Sequence, residues 1–499
     1  MENIENNNKK LVGEESANEF VDEKDEILNE AEKFIYNILF ESESTDKRVY
    51  ELNLKEFVHH WARCAGYNET ALMPVVLTTI SRVLGSYFEV KGLDISKPRP
   101  NIFLILSARP DFFHKTSLMQ LCDDITKDVE KALKSMPVKH ENESLTFDGS
   151  IEGLIKVFEN RRFAHYSVDE FYTLIKMENS GKYDSGRTTL LLQVYDGKRF
   201  TQSLKDPTKG MKIEAGYYAT MIATMHPGEL NGNFLRIGLA RRCWNVSLRS
   251  SDMVDDSISY RPKANQLFQE FKEVFTRRLI TLAEMIIQSG LTYQIIEDTN
   301  NEPTTVPEFK AVEIEFDNKI LEKLEQIRHM AVHRVKDEDS FSYPYEDPHL
   351  LSRIAINYAI SEGKWTVEPK HLDLAIELVK ETTKGYIDEL KKLEESLRSV
   401  DEKHNRVLEV IKSNYGKKSG NLGVPHTLIY QTTKYENLEA IYKKLSDLDK
   451  ILIVHKKPNK GKIIRLFFPS DEITYEEIED KFNKLKSESK NEINDFWIT

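Results

Sequence analysis

Between Asn101 and Gln120 the chain reads NIFLILSARPDFFHKTSLMQ: an apolar run, a short loop and a helix start, with Lys115-Thr116 closing the loop. That is the spacing of a phosphate-binding loop, GxxxxGK[ST]. In such a loop the glycines let backbone N–H groups fold around phosphates, the lysine neutralises their charge, and the Ser/Thr hydroxyl holds Mg²⁺. Here Arg109 and His114 stand at the glycine positions, and Phe112 and Phe113 fill the middle of the cradle. Positive φ is often needed there and costs a bulky side chain appreciably. Taken alone, Lys-Thr after a hydrophobic run is more often the first turn of an ordinary helix.

Order along the chain strengthens the match. Arg162 to Glu170, RFAHYSVDE, is a strand-like run closed by two acids. In this Walker B pattern Asp169 can order Mg²⁺ through its water, and Glu170 can polarise the water that attacks a γ-phosphate. The bland alternative is a strand followed by a helix N-terminus, where the dipole favours acids. A third apolar run, Tyr218 to Thr224, leads into Met225-His226-Pro227, so that His226 is either a polar sensor at a strand tip or a packing residue before proline. Gly238-Leu239-Ala240-Arg241-Arg242 precedes a fourth run, Cys243 to Leu248. An arginine at that place could reach a neighbouring subunit's nucleotide and stabilise transition-state charge. Arg242 is the candidate, with Arg241 the alternative.

In this order the motifs resemble the AAA+ ATPases of replicative helicases, the minichromosome-maintenance group and the primase-helicase ATPases of mobile elements. The ATMHP segment is similar to that family's strand-plus-asparagine-proline sensor, with His226 in place of asparagine. Leu239 to Cys243 is similar to its LLSRF finger, which puts the finger on Arg242. The segment before the sensor strand resembles a hairpin whose tip carries a DNA-contacting lysine, with Lys205 and Lys209 as candidates. HLLSRIAINYAISEGKWTVEPKHLDLAIELV is similar to the helical lid, where Arg353 matches a nucleotide-binding arginine. The resemblance runs from about Leu52 to Val379. It implies ATP and Mg²⁺ as cofactors, Thr116 and Asp169 at the metal, and a ring-shaped homo-oligomer such as a hexamer.

The remaining chain must position these residues. At 499 residues and 58.0 kDa several domains fit, because single cores rarely grow past about 250–300 residues. The expected architecture is an α/β AAA+ P-loop core with an all-α N-terminal collar and a helical lid, followed by a C-terminal winged-helix domain. Its boundaries are an acidic disordered tail over 1–28, a helical region over 29–96, the core over 97–255, the lid over 256–400, the winged helix over 401–470 and a charged helical tail over 471–499. Helical periodicity covers Leu54 to Gly85 as one block, and Asp298 to Phe316 reads as a surface insertion rich in proline and asparagine.

The net charge of −12 argues against nucleic acid only if its distribution is ignored. Residues 1–30 hold ten acids and three lysines, whereas residues 401–470 are net basic. Three helical patterns there precede two strand runs joined by Lys456-Lys457-Pro458-Asn459-Lys460-Gly461. In a winged helix the third helix enters the major groove and the wing's lysines meet phosphate. Lys417, Lys418, Lys434, Lys443, Lys444, Lys456, Lys457 and Lys460 are the candidates, and protein docking is the alternative use of such a module. No apolar run approaches the roughly 20 residues of a bilayer span, and the N-terminus reads as neither signal nor transit peptide. Three scattered cysteines support neither a disulfide framework nor zinc, so a reducing cytoplasm is the expected setting. The reading is a DNA-binding ATPase of replicative helicase or initiator type from a mobile or extrachromosomal element, coupling nucleotide binding to DNA loading or translocation. The alternative is a catalytically inactive scaffold acting as a DNA-binding initiator, loader or regulator.

Overall fold

The computed structural model describes residues 23–39, 52–91, 99–109, 114–134, 144–145, 163–171, 187–197, 200–202, 211–213, 218–227, 229, 242–249, 252, 256–297, 303–338, 343–417, 423–435, 438–457, 463–488 and 495–498. Two compact units divide the chain, Met1–Leu390 and Lys391–Thr499.

The first unit opens with a helix over residues 23–39 (α1), so the stretch read as a tail to residue 28 is helical from 23 onward and buries Leu28. Next come α2 (Leu54–Ala65) and α3 (Glu69–Leu84). Sequence periodicity merged these two. Gly66, at φ 67, closes α2 in the left-handed conformation that glycine tolerates best, and the Asn68 side chain accepts from Thr70 N to start α3. Every residue of α3 from Ala71 to Leu84 is buried. This helix packs on the central sheet and on the helix that follows its first strand. The expected collar is therefore part of the core.

The chain continues through β1 (Phe88–Val90), β2 (Phe103–Ser107), α4 (Lys115–Leu133), β3 (Ser144–Leu145), β4 (Phe163–Val168), α5 (Arg187–Tyr195), β5 (Phe200–Gln202), β6 (Met211–Ile213), β7 (Tyr218–Met225) and β8 (Trp244–Ser247). Five strands form a parallel sheet in the order β3-β4-β7-β2-β8. All residues of β2, β7 and β8 are buried, as near-continuous apolar runs covered on both faces must be. Strands β5 and β6 pair antiparallel as a hairpin, with Thr201 opposite Lys212.

After the sheet come α6 (Pro262–Gly290), β9 (Leu291–Glu297), β10 (Pro303–Phe309), β11 (Val312–Phe316), α7 (Asn318–Glu338), α8 (Pro348–Ser361), β12 (Thr366–Val367), α9 (Pro369–Thr382) and α10 (Lys384–Asn414). The expected surface insertion contains two strands: β10 pairs antiparallel with β9, which precedes the insertion, and β11 joins β1 and β12 in a small parallel sheet. Prolines 303 and 307 sit in β10, which pairs on one side only, the place where a missing N–H is tolerated.

Within the second unit the end of α10 is followed by β13 (Val424–Pro425), α11 (His426–Thr433), α12 (Leu438–Asp447), β14 (Ile451–Lys457), β15 (Ile464–Pro469), α13 (Tyr475–Glu488) and β16 (Asp495–Ile498). Its sheet runs β13-β15-β14-β16 and is antiparallel throughout. Val407, Ile411, Ile429, Tyr442 and Phe467 anchor the core. The segment read as a charged helical tail holds the helix α13, and it is built into the unit, since α13 buries Ile478 and Phe482 and β16 pairs with β14. Among the described residues no helix is long and apolar enough to cross a membrane.

Candidate functional site

Parallel pairing aligns the C-terminal ends of β4, β7 and β2, with Val168 opposite Ala223 and Met225 opposite Ser107. A cleft of about 310 Å³ opens there, lined by Arg109, by His114 to Ser117 at the start of α4, by Asp169 and Glu170, and by Thr224, Met225 and His226. The two halves of the sequence motif thus meet in one place, and so does the tip of the strand between them.

Lys115 anchors the first half. Its Nζ donates to Ala108 O at 3.1 Å and to Met225 O at 3.2 Å, which bridges the ends of β2 and β7. An ammonium has three donors, so two carbonyls leave capacity for a ligand. Burial lowers the Lys115 pKa, opposed by the nearby carboxylates of Asp169, Glu229 and Glu170. His114, the residue before α4, sits in the left-handed region at φ 48 and gives the helix no side-chain cap. The first turn of α4, Lys115 to Ser117, lines the cleft, and a helix start is a place that attracts anions. Thr116 and Ser117 are exposed beside them. Residues 110–113, with Phe112 and Phe113, lie outside the described residues.

The acidic half is set by a tight turn. Glu170 has φ 54, and its N–H donates to Thr224 Oγ1 at 3.3 Å, while that hydroxyl donates to Asp169 Oδ1. Both carboxylates are exposed to the cleft. His226 lines the same cleft, its backbone N–H donating to Glu229 Oε2 at 2.8 Å. Ammonium, hydroxyls and carboxylates together form a set that can take an anion and a hard, oxygen-loving cation side by side.

Other candidates lie elsewhere. Arg353 does not line the cleft. It is 5% exposed on α8, and its Nη1 donates to Arg99 O at 3.1 Å, Asn101 O at 3.2 Å and Asn101 Oδ1, with the guanidinium 4.0 Å over the Tyr195 ring. Asn101 precedes β2, so this arginine lies at the opposite end of the sheet from the cleft, held as a buried clamp. Arg242 precedes β8 at that same far end and is held by Asp196 through two bonds of 3.1 and 3.0 Å. Lys205 and Lys209 fall in the connection of the β5–β6 hairpin, outside the described residues, as do Lys418 and Lys460. In the second unit Lys417, Lys434, Lys443 and Lys444 are exposed, Lys456 is half-buried, and Lys457 ends β14.

Thr224 was passed over by sequence reasoning in favour of His226, although a lone hydroxyl near the end of an apolar strand was the available signal. Glu362, Glu368 and His371 form another cluster with metal-ligand chemistry, between α8 and α9. There His371 Nδ1 accepts from Glu368 N at 2.9 Å, which leaves Nε2 as the protonated nitrogen, and Lys364 and Lys370 already neutralise both carboxylates. The cluster is an ion-pair network that caps α9.

Compared with models of known protein families and with curated proteins, the chain has no match.

Proposed function

We propose that the cleft binds a nucleoside triphosphate with Mg²⁺ and that the chain is a DNA-binding AAA+ ATPase of replicative helicase or initiator type. The supporting observation is the meeting of Lys115, Thr116, Asp169 and Glu170, distant in sequence, in one cleft at the carboxyl edge of a parallel sheet, where open α/β sheets hold their ligands. The donor set fits these groups. Lys115 and the α4 N–H groups suit phosphate oxygens, and the Thr116 hydroxyl and Asp169 carboxylate are the oxygen ligands Mg²⁺ takes. When bound, the metal would neutralise phosphate charge. Glu170 would then orient a water and Thr224 would hold Asp169 in place. In a ring, Arg242 would serve a neighbour's site after releasing Asp196.

Support for the DNA partner comes from the second unit. Its order of helix, short strand, two helices and hairpin agrees with a winged helix, with Lys443 and Lys444 exposed on the third helix. The β5–β6 hairpin supports a DNA-contacting loop carrying Lys205 and Lys209.

Titration with ATP in the presence of Mg²⁺ tests the reading directly. Lys115→Ala should weaken binding at least about tenfold, as loss of a charge-assisted contact implies, and Glu170→Gln should bind ATP yet release no phosphate with single-stranded or duplex DNA. Unchanged affinity in Lys115→Ala would remove the site. The second reading, a nucleotide-insensitive scaffold, is favoured by Arg109 and His114 at the glycine positions and by the Arg242–Asp196 pair; duplex binding without nucleotide binding or turnover would select it.

A further inference from the structure

Behind the cleft, α3 sends a charged side chain into the interior. Arg82 is 2% exposed, and its guanidinium joins two other elements: Nη1 donates to Asp123 Oδ1 on α4 at 2.5 Å, and Nη2 donates to Ser167 Oγ on β4 at 2.9 Å. Ser167 Oγ in turn donates to the same Asp123 Oδ1 at 2.6 Å, closing a triangle. Cys122 Sγ lies 3.6 Å from Nη1.

Two of the three corners are tied to a part of the cleft. Asp123 lies about two turns along α4 from Lys115 and Thr116, and Ser167 is two residues ahead of Asp169 on β4. Arg82 comes from α3, which contributes no residue to the cleft lining. Burying a guanidinium and a carboxylate is costly, and apolar residues of similar volume would pack three such elements together at least as firmly. What an apolar contact cannot supply is a fixed distance and direction between a helix and a strand. Hydrogen bonds of 2.5 to 2.9 Å supply both.

We propose that Arg82, Asp123 and Ser167 are positioning residues of the cleft, setting the reach between the helix start that faces phosphate and the Asp169 carboxylate that faces the metal. The inference rests on the nucleotide reading above. It assigns the triangle to the metal half of the site: α4 carries its own helix start wherever it lies, whereas Asp169 must meet a cation already bound to phosphate on the other element.

The test is Ser167→Ala, which removes the β4 corner and keeps the Arg82–Asp123 pair, measured in the full chain by titration with ATP in EDTA and again across a Mg²⁺ series. Thermal unfolding checks that the variant is folded. ATP affinity in EDTA should stay within about twofold of wild type, while the Mg²⁺ concentration giving half of the metal-dependent gain should rise about ten- to hundredfold, as loss of a partner behind a metal ligand does. Ser167→Thr, which keeps the hydroxyl, should restore it. Arg82→Met should show the same Mg²⁺ defect whether its melting temperature rises or falls. A folded Ser167→Ala variant with wild-type Mg²⁺ dependence would overturn the positioning role and leave the nucleotide site standing, whereas a wild-type chain without ATP affinity would overturn both.

Discussion

Replacing Arg353 with alanine separates two roles for a residue that sequence resemblance assigns to the nucleotide. In the structure the side chain is almost wholly buried and its Nη1 serves three oxygens, two of them on Asn101, which is 0% exposed. Truncation removes hydrogen bonds from a charged donor, about 1.5–3 kcal/mol each net of solvation when counted singly, and leaves buried acceptors without a partner. It also removes the stacking on Tyr195, about 1–2 kcal/mol in a desolvated setting. Relief of the arginine's own burial offsets much of this, so a net loss of about 4 kcal/mol is expected, near the upper end for single substitutions. For a unit of 390 residues the unfolding entropy is about 0.8 kcal/mol per degree, which makes the shift about 5 °C. Thermal unfolding followed by circular dichroism reads it, with ATP titration of the folded variant at 20 °C beside it. A clamp gives the lower melting temperature with ATP affinity within about threefold of wild type. A melting temperature unchanged within 1 °C, together with affinity lost tenfold or more, would refute the clamp and return Arg353 to the nucleotide.

Gly385→Ala should destabilise by about 1–3 kcal/mol, because a Cβ there would meet Ser247 O at 2.3 Å. An open helical site would instead gain about 1 kcal/mol from the same change, so a raised melting temperature would show that the two backbones are not in contact. Burial alone would raise the Glu362 carboxyl, but hydrogen bonds from His371, Lys370 and Lys364 hold it down to about 2. Its contribution, at most about 3 kcal/mol, is thus complete above about pH 5 and lost as pH falls towards 2. Acid unfolding of Glu362→Gln should lack that share of the pH dependence; an identical profile would show the network to be energetically idle. Replacing Lys443 and Lys444 together by alanine should reduce the salt dependence of duplex binding by about two phosphate contacts, roughly 1.8 in log–log slope, and an unaltered slope would exclude α12 from the DNA surface.

Much of this molecule was legible before any coordinates. Largely apolar runs specified β2, β4, β7 and β8, since a strand covered on both faces favours apolar side chains, and the Lys-Thr and Asp-Glu pairs stood at the strand ends where the cleft lies. Helix periodicity located the block of α2 and α3 and the helices around the winged region, and the family resemblance located α8 and α9, but periodicity could not see the single left-handed glycine, Gly66, that divides the first block. Strands β10 and β11 looked like loop because prolines 303 and 307 and the preceding Asn300-Asn301 are turn signals, while the strands' stability comes from their partners β9, β1 and β12. Arg353 and Thr224 mark the limit most clearly. A side chain's chemical type is written in the chain, but whether a guanidinium faces phosphate or a buried carbonyl depends on which end of the sheet its helix crosses. Likewise, Thr224 gained its place at Asp169 only through the strand order that sets β7 between β2 and β4. Local preference and hydrophobic period act over a few residues and so are carried by the sequence itself; strand order, burial and the meeting of distant polar groups arise from packing the whole unit, and only the tertiary structure decided them.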